Sequence, residues 1–155
     1  MAGYRYLVGL ILLCLAVATA GGAVSASAVR EWYPTLIHPA FAPPNWVFGP
    51  VWTILYVMMA VAAWRAWRKD HFSRDSVPLR LFLSQLALNC AWSFIFFGFH
   101  QIGLAVVDIV ALLVAILATT ASSRSRDRTA AVLMLPTLAW VGFATALNLE
   151  FWRLN

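Results

Sequence analysis

The residues best suited to chemistry here are amides and indoles at helical intervals. Gln85, Asn89, Trp92 and Phe96 fall at i, i+4, i+7 and i+11, so on a helix one stripe presents two amides and two rings. Thr137, Trp140, Ala144 and Asn148 form a second stripe, and Trp52 and Tyr56 stand one turn apart. Amides are costly in hydrocarbon unless they face the protein interior and find partners. Taken singly, each Asn or Gln reads as an interhelical hydrogen bond that fixes packing register. Taken together, three helices presenting Trp beside small or amide residues describe a flat aromatic slot with a few polar hooks, the makeup of a ligand pocket. Ala144, one turn from Trp140, leaves room for a planar ligand.

Other chemistries find less support. Asp108 is the one carboxylate well inside an apolar stretch, about 8 Å along its helix. An acid inside the membrane is a functional candidate by default. No basic residue in another stretch offers itself as a proton-relay partner, so Asp108 reads as a packing residue. Cys14 and Cys90 lie mid-helix with no CxxC or His/Cys spacing and behave as small apolar residues. His38 and His100 fall on one predicted side and His71 on the other. Either of the first two could ligate a haem iron, though a lone loop histidine is usually solvated. The sequence carries no metal-site spacing, nucleophile–base pair, phosphate loop or carboxylate pair, and no cofactor is required by it.

The elements that must position these residues are membrane spans. The chain has 155 residues, 63% hydrophobic and 11% charged, with a mean hydropathy of +0.80; soluble domains are about 45–50% apolar and about 25% charged. That excludes a disordered chain, a secreted disulfide scaffold and a nucleic-acid-binding domain, the net charge of +5 notwithstanding. A spanning helix needs roughly 20 apolar residues, and five such stretches are legible: 6–28, 48–67, 79–99, 103–121 and 130–151. Each is about twice the length of a barrel strand. The fold class is an all-α bundle of five transmembrane helices, one domain over residues 1–155.

The first stretch also resembles a signal peptide, with Arg5 ahead of an apolar run and Ala26-Ser27-Ala28 at its end. Its length exceeds a typical signal core, and Gly21-Gly22 suits a tight helix contact. With five retained spans, Arg5, Arg65, Arg68, Lys69, Arg74, Arg80, Arg124, Arg126 and Arg128 share one side, against Arg30 and Arg153 on the other. Nine against two predicts a cytoplasmic N-terminus in a plasma-type membrane. The 30–47 connection on the sparsely charged side holds Trp32, Tyr33, Pro34, Pro39, Pro43, Pro44 and Trp46. Its prolines stiffen it. It reads either as an aromatic belt at the bilayer interface or as a lid over a cavity.

These residues resemble the tryptophan-rich sensory protein and translocator protein (peripheral benzodiazepine receptor) family, as a bacterial-type member. The resemblance runs through Trp32-Tyr33 to Pro39, Pro43-Pro44-Asn45-Trp46-Val47-Phe48-Gly49-Pro50-Val51-Trp52, Gln85-Leu86-Ala87-Leu88-Asn89 with Trp92 and Phe96-Phe97-Gly98, and Leu138-Ala139-Trp140 with Phe143-Ala144-Thr145 and Leu147-Asn148. It implies five tightly packed, retained helices in a bacterial membrane, a homodimer, and a ligand cavity open toward the first loop. It further implies binding of porphyrins such as protoporphyrin IX, in transport or sensing. Some bacterial members promote light-dependent porphyrin breakdown, and Trp52 and Trp140 match the pair tied to that photochemistry. Asn89, Trp140 and Ala144 match pocket-lining positions; Tyr33, Pro44 and Trp46 match the covering loop. Tyr56, Trp92 and Asn148 complete the candidate binding set from the stripes above. Arg30 or His38 could meet porphyrin carboxylates at the mouth. Two departures stand out. Leu149 occupies the place of the tyrosine in the sterol motif of animal members, which counts against cholesterol. Thr137 follows Pro136 where many members have tyrosine. Signalling to a partner protein is the remaining alternative to transport and degradation.

Overall fold

The structure is a computed structural model that describes residues 2–155. Its helices are α1 (Ala2–Glu31), α2 (Phe48–Lys69), α3 (Val77–Ser93), α4 (Ile102–Arg124) and α5 (Arg128–Leu154). Short 3-10 turns at Tyr33–Thr35 and Asn45–Val47 punctuate the first connection, and α3 runs on into one π-helical turn, Phe94–Gly98. The resulting apolar spans are 22 to 29 residues long, enough to cross a bilayer. They run a few residues beyond the apolar stretches because the helices continue into polar flanks such as Arg68-Lys69 and Ser122–Arg124.

Local chemistry sets several of the ends. Asp127 caps α5, its carboxylate accepting from the Ala130 amide at 3.1 Å, which satisfies a donor the first turn leaves open. Pro78 lies in the first turn of α3, where a missing amide hydrogen costs nothing. Arg68 and Lys69 close α2, where positive charge suits the helix dipole.

Helix α4 packs on α3 and α5, α1 on α2 and α3, and α2 on α5, so the cyclic order is α1, α2, α5, α4, α3. The main core, with Met59, Phe82, Leu86, Ile109, Leu112, Ile116, Met134 and Val141, fills the centre. A smaller cluster of Tyr33, Phe96, Ala105, Leu147 and Phe151 closes the loop end. Leu12, Val107, Val114 and Val132 point outward and are exposed, as a lipid-facing surface requires.

Three glycines permit close helix contact. A Cβ at Gly21 would lie 2.9 Å from Ser93 Oγ, one at Gly98 3.1 Å from Val24 Cγ1, and one at Gly103 2.9 Å from Trp152 Nε1. The expected Gly21-Gly22 contact therefore falls on Gly21 alone; a Cβ at Gly22 meets nothing within 4 Å. Helix α1 is an integral part of the bundle. At the basic end, Trp64 Nε1 donates to the Gly3 carbonyl at 2.8 Å and Tyr6 packs on Trp67 and Phe72.

The basic end is also tied across its turns. Arg65 pairs with Asp127 at 2.9 Å. Arg126 pairs with Asp70 at 2.6 Å, and the Ser76 hydroxyl donates to the same carboxylate at 2.7 Å.

Candidate functional site: an aromatic cavity in the loop half of the bundle

The walls of an aromatic cavity come from four helices and the first connection. Helix α1 contributes a run of small residues (Ala18, Gly21, Gly22, Ser25) and Val29; α2 contributes Phe48, Gly49, Trp52, Thr53 and Tyr56. From α3 and its π-turn come Asn89, Trp92, Ser93, Phe96 and Phe97; from α5, Ala144, Leu147, Asn148 and Phe151. Tyr33 and Asn45 of the connection complete it, enclosing about 330 Å³, within the range of small-molecule sites. No lining side chain is charged.

The π-turn shapes one wall. The Phe99 amide reaches back to the Phe94 carbonyl at 2.8 Å, which widens the turn and brings Phe96 and Phe97 against Trp92. Trp92 and Phe96 stack at 5.2 Å with 22° between their planes, and Phe97 stands perpendicular to Trp92 at 5.8 Å. Such single π-turns are frequent at functional sites. On α2, Trp52 lies 5.6 Å from Tyr56.

The amides divide their roles. The Tyr56 hydroxyl donates to Asn89 Oδ1 at 2.5 Å, leaving the Asn89 amide nitrogen as a donor for the cavity. Asn148 is engaged at both ends: it accepts from Trp92 Nε1 at 2.9 Å and donates to the Ile102 carbonyl at 3.3 Å. Gln85 is buried below the cavity, with its nitrogen 3.9 Å from Met59 Sδ and its oxygen without a partner among the described residues.

Tyr33 roofs the cavity, buried among His38, Phe97 and Phe151. Burial pushes its phenol up to about 12, so it is a neutral hydroxyl at physiological pH. The connection is fastened to the end of α5: the Ile37 amide donates to Asn155 Oδ1 at 2.8 Å, and Asn155 Nδ2 donates to the Ile37 carbonyl at 3.2 Å. Of the belt and lid readings, this geometry matches a lid for Tyr33, whereas Trp46 is 74% exposed and sits as a belt residue would.

Of the sequence-predicted set, the structure brings Tyr33, Trp52, Tyr56, Asn89, Trp92, Ala144 and Asn148 to one cavity. It leaves Pro44, Trp46 and Trp140 off its walls. The Trp140 ring lies 5.8 Å from Phe48 and 5.6 Å from Phe143, so Phe48 stands on the wall in its stead. The Trp140 indole nitrogen is buried without a partner among the described residues. His38 and His100 do not line the cavity either: His38 Nε2 donates to the Tyr33 carbonyl at 3.0 Å, and His100 stacks on Trp32 at 4.1 Å. Asp108 is half-buried, one carboxylate oxygen lacking a partner among the described residues. Among the described residues, no cluster of three metal-ligating side chains occurs.

Sequence reasoning missed Phe48, Phe97, Leu147, Phe151 and the whole α1 wall. Leu147 and Phe151 extend the Ala144–Asn148 stripe and were within reach of the same spacing. Phe97 depends on the π-turn, which breaks the helical period, and α1 carries no polar or aromatic stripe to mark its face.

Fold and site together define a multi-pass integral membrane protein with an uncharged aromatic cavity in one half of a five-helix bundle. Residues 10–153 match the TspO/MBR family, and the chain belongs to that family. It is 40% identical over 149 residues to the tryptophan-rich protein TspO of Archaeoglobus fulgidus, covering 96% of each chain. To the human translocator protein it is 43% identical over 127 residues, 81% of this chain and 75% of that one. To the tryptophan-rich sensory protein of Cereibacter sphaeroides it is 35% identical over 142 residues, 92% and 86% respectively.

Proposed function

We propose that the protein is a membrane receptor or carrier that binds a planar tetrapyrrole, protoporphyrin IX or a close relative, in the cavity beneath Tyr33. The observation that carries this reading is the wall itself: Trp52, Trp92, Phe96 and Phe97 surround an uncharged space into which Asn89 offers an amide donor. A flat, largely apolar ring with a hydrogen-bond acceptor suits such a wall. Ring stacking adds about 0.5–1.5 kcal/mol per pair beyond the area buried. Because no lining residue is charged, the porphyrin carboxylates would remain at the loop end, where Arg30 and His38 are exposed. Family membership supports the same ligand class through the resemblance stated above, and a homodimer in the bilayer belongs to the same proposal. Haem fits less well, because neither His38 nor His100 reaches the cavity.

Titrating the purified protein with protoporphyrin IX while following tryptophan fluorescence tests the reading. Saturable quenching is expected; a linear, unsaturable decrease would sink it. Illuminating the same samples addresses turnover. Protein-dependent loss of porphyrin absorbance would favour degradation, with Trp52 as the aromatic group at the ligand.

A further inference from the structure

The cavity is roofed by Tyr33 at the loop end and bordered along its side by the seam between α1 and α2. Toward water, Tyr33 roofs it and the paired Ile37–Asn155 hydrogen bonds fasten the roof. Toward lipid, the seam between α1 and α2 is unsealed. These two helices meet at the basic end, where Trp64 bonds Gly3 and Tyr4 stacks on Trp64 at 5.8 Å. In its other half α1 leans on α3 instead, with Gly21 against Ser93, Val24 against Gly98 and Trp32 edge-on to Phe96 at 5.6 Å. The seam left between α1 and α2 carries two cavity-lining glycines, Gly22 and Gly49. Both are exposed, and a Cβ on either would meet nothing within 4 Å. Gly49 is the second residue of α2, at the loop end, whereas Gly22 lies nine residues before the end of α1, about 13 Å deeper.

The chemistry of the seam suits hydrocarbon. Its two hydroxyls are turned onto their own helices: Ser25 donates to the Gly21 carbonyl at 2.7 Å and Thr53 to the Gly49 carbonyl at 2.9 Å. Neither is left needing water, so lipid chains or an apolar ring can lie against them without the penalty of an unmade bond. We propose that the ligand enters and leaves sideways, from the bilayer leaflet at the loop end, through the α1–α2 seam at Gly22 and Gly49. The proposal rests on the cavity being the ligand site. It makes the partner of this surface a membrane-partitioned planar molecule whose apolar ring lies in hydrocarbon and whose carboxylates stay at the loop end, and assigns the loop a fixed roof rather than a moving gate.

Association and dissociation of protoporphyrin IX, measured by stopped-flow tryptophan fluorescence with the full chain in lipid nanodiscs, test the route. The variants are Gly22→Ala, Gly22→Val, Gly22→Leu, the same three at Gly49, and Asn155→Ala, which unfastens the roof. The alanine and valine steps have open space and keep the series readable if a leucine variant misfolds. Both rate constants should fall together as the seam side chain grows, at least about fivefold by valine or leucine, whereas a side chain that only spoiled the site would speed dissociation. Asn155→Ala should leave both rates within about twofold. Flat rates along the series, or rates raised by Asn155→Ala, would overturn the route while leaving the site intact. A wild-type chain that does not bind protoporphyrin would overturn the ligand reading and the route with it.

Discussion

Asn148 uses both ends of its carboxamide on the protein, accepting from Trp92 and donating to Ile102. Asn89 only accepts, from Tyr56. The two residues look alike in sequence, each one turn from an aromatic or small neighbour, and spacing could not divide their roles. The division predicts different phenotypes. Asn89→Ala should weaken porphyrin binding about three- to tenfold, the worth of one hydrogen bond of about 0.5–1.5 kcal/mol, and should lower the melting temperature as well, because it strands the buried Tyr56 hydroxyl. Asn148→Leu should lower the melting temperature by stranding the Trp92 donor, a cost of about 1–3 kcal/mol. Equal loss of binding in the two variants would contradict the assignment. The stripe from Trp52 to Tyr56 and the stripe from Asn89 to Phe96 were legible from helical period alone. Trp140 was not, because which ring of a neighbouring helix occupies the wall is a matter of packing, and Phe48 occupies it.

The helices themselves were readable from apolar length, and their number and order follow from it. What composition could not show is the π-turn at Phe94–Gly98, where an apolar run looks the same whether its hydrogen bonds reach back four residues or five. Nor could it show which glycines are pressed against a neighbour. Gly21 is one of these, and Gly21→Val should push α1 off Ser93 at a cost of about 1–3 kcal/mol, read as a lower melting temperature; Gly22→Val should be near neutral on stability. No difference between the two would argue against this packing. At the basic end, burial pushes the Asp127 carboxyl up, but the Ala130 amide and the Arg65 guanidinium outweigh it and hold it below the usual carboxylate range. Asp70 is held low in the same way, burial being outweighed by Ser76 and Arg126. A carboxyl depressed in the folded state contributes its stability in full above its unfolded pKa, about 3.9. It loses that contribution as pH falls through the folded value. The melting temperature should therefore drop as pH is taken from about 5 to about 3, and Asp127→Asn should flatten that slope. An unchanged slope in the variant would remove the Arg65–Asp127 pair from the account.

At the scale of the whole molecule, the two ends of the bundle differ in kind. One end holds nine of the eleven basic residues and is tied by ion pairs between turns. The other holds the aromatic roof and the cavity. The charge asymmetry was plain in the sequence because orientation is written in Lys and Arg counts. The cavity was only half legible, since an enclosed space depends on how helices lean: α1 toward α3 at the loop end, α1 toward α2 at the basic end. The claim at the centre of this account is that the ligand lies against Trp52 inside that space, with Trp140 behind its wall. Protoporphyrin titrations of Trp52→Leu and Trp140→Phe, run beside the unaltered chain, test it most directly. Trp52→Leu should weaken binding roughly three- to tenfold, from about 0.5–1.5 kcal/mol of lost stacking, while Trp140→Phe should stay within about twofold. Unchanged affinity in Trp52→Leu, or a larger loss in Trp140→Phe than in Trp52→Leu, would contradict it.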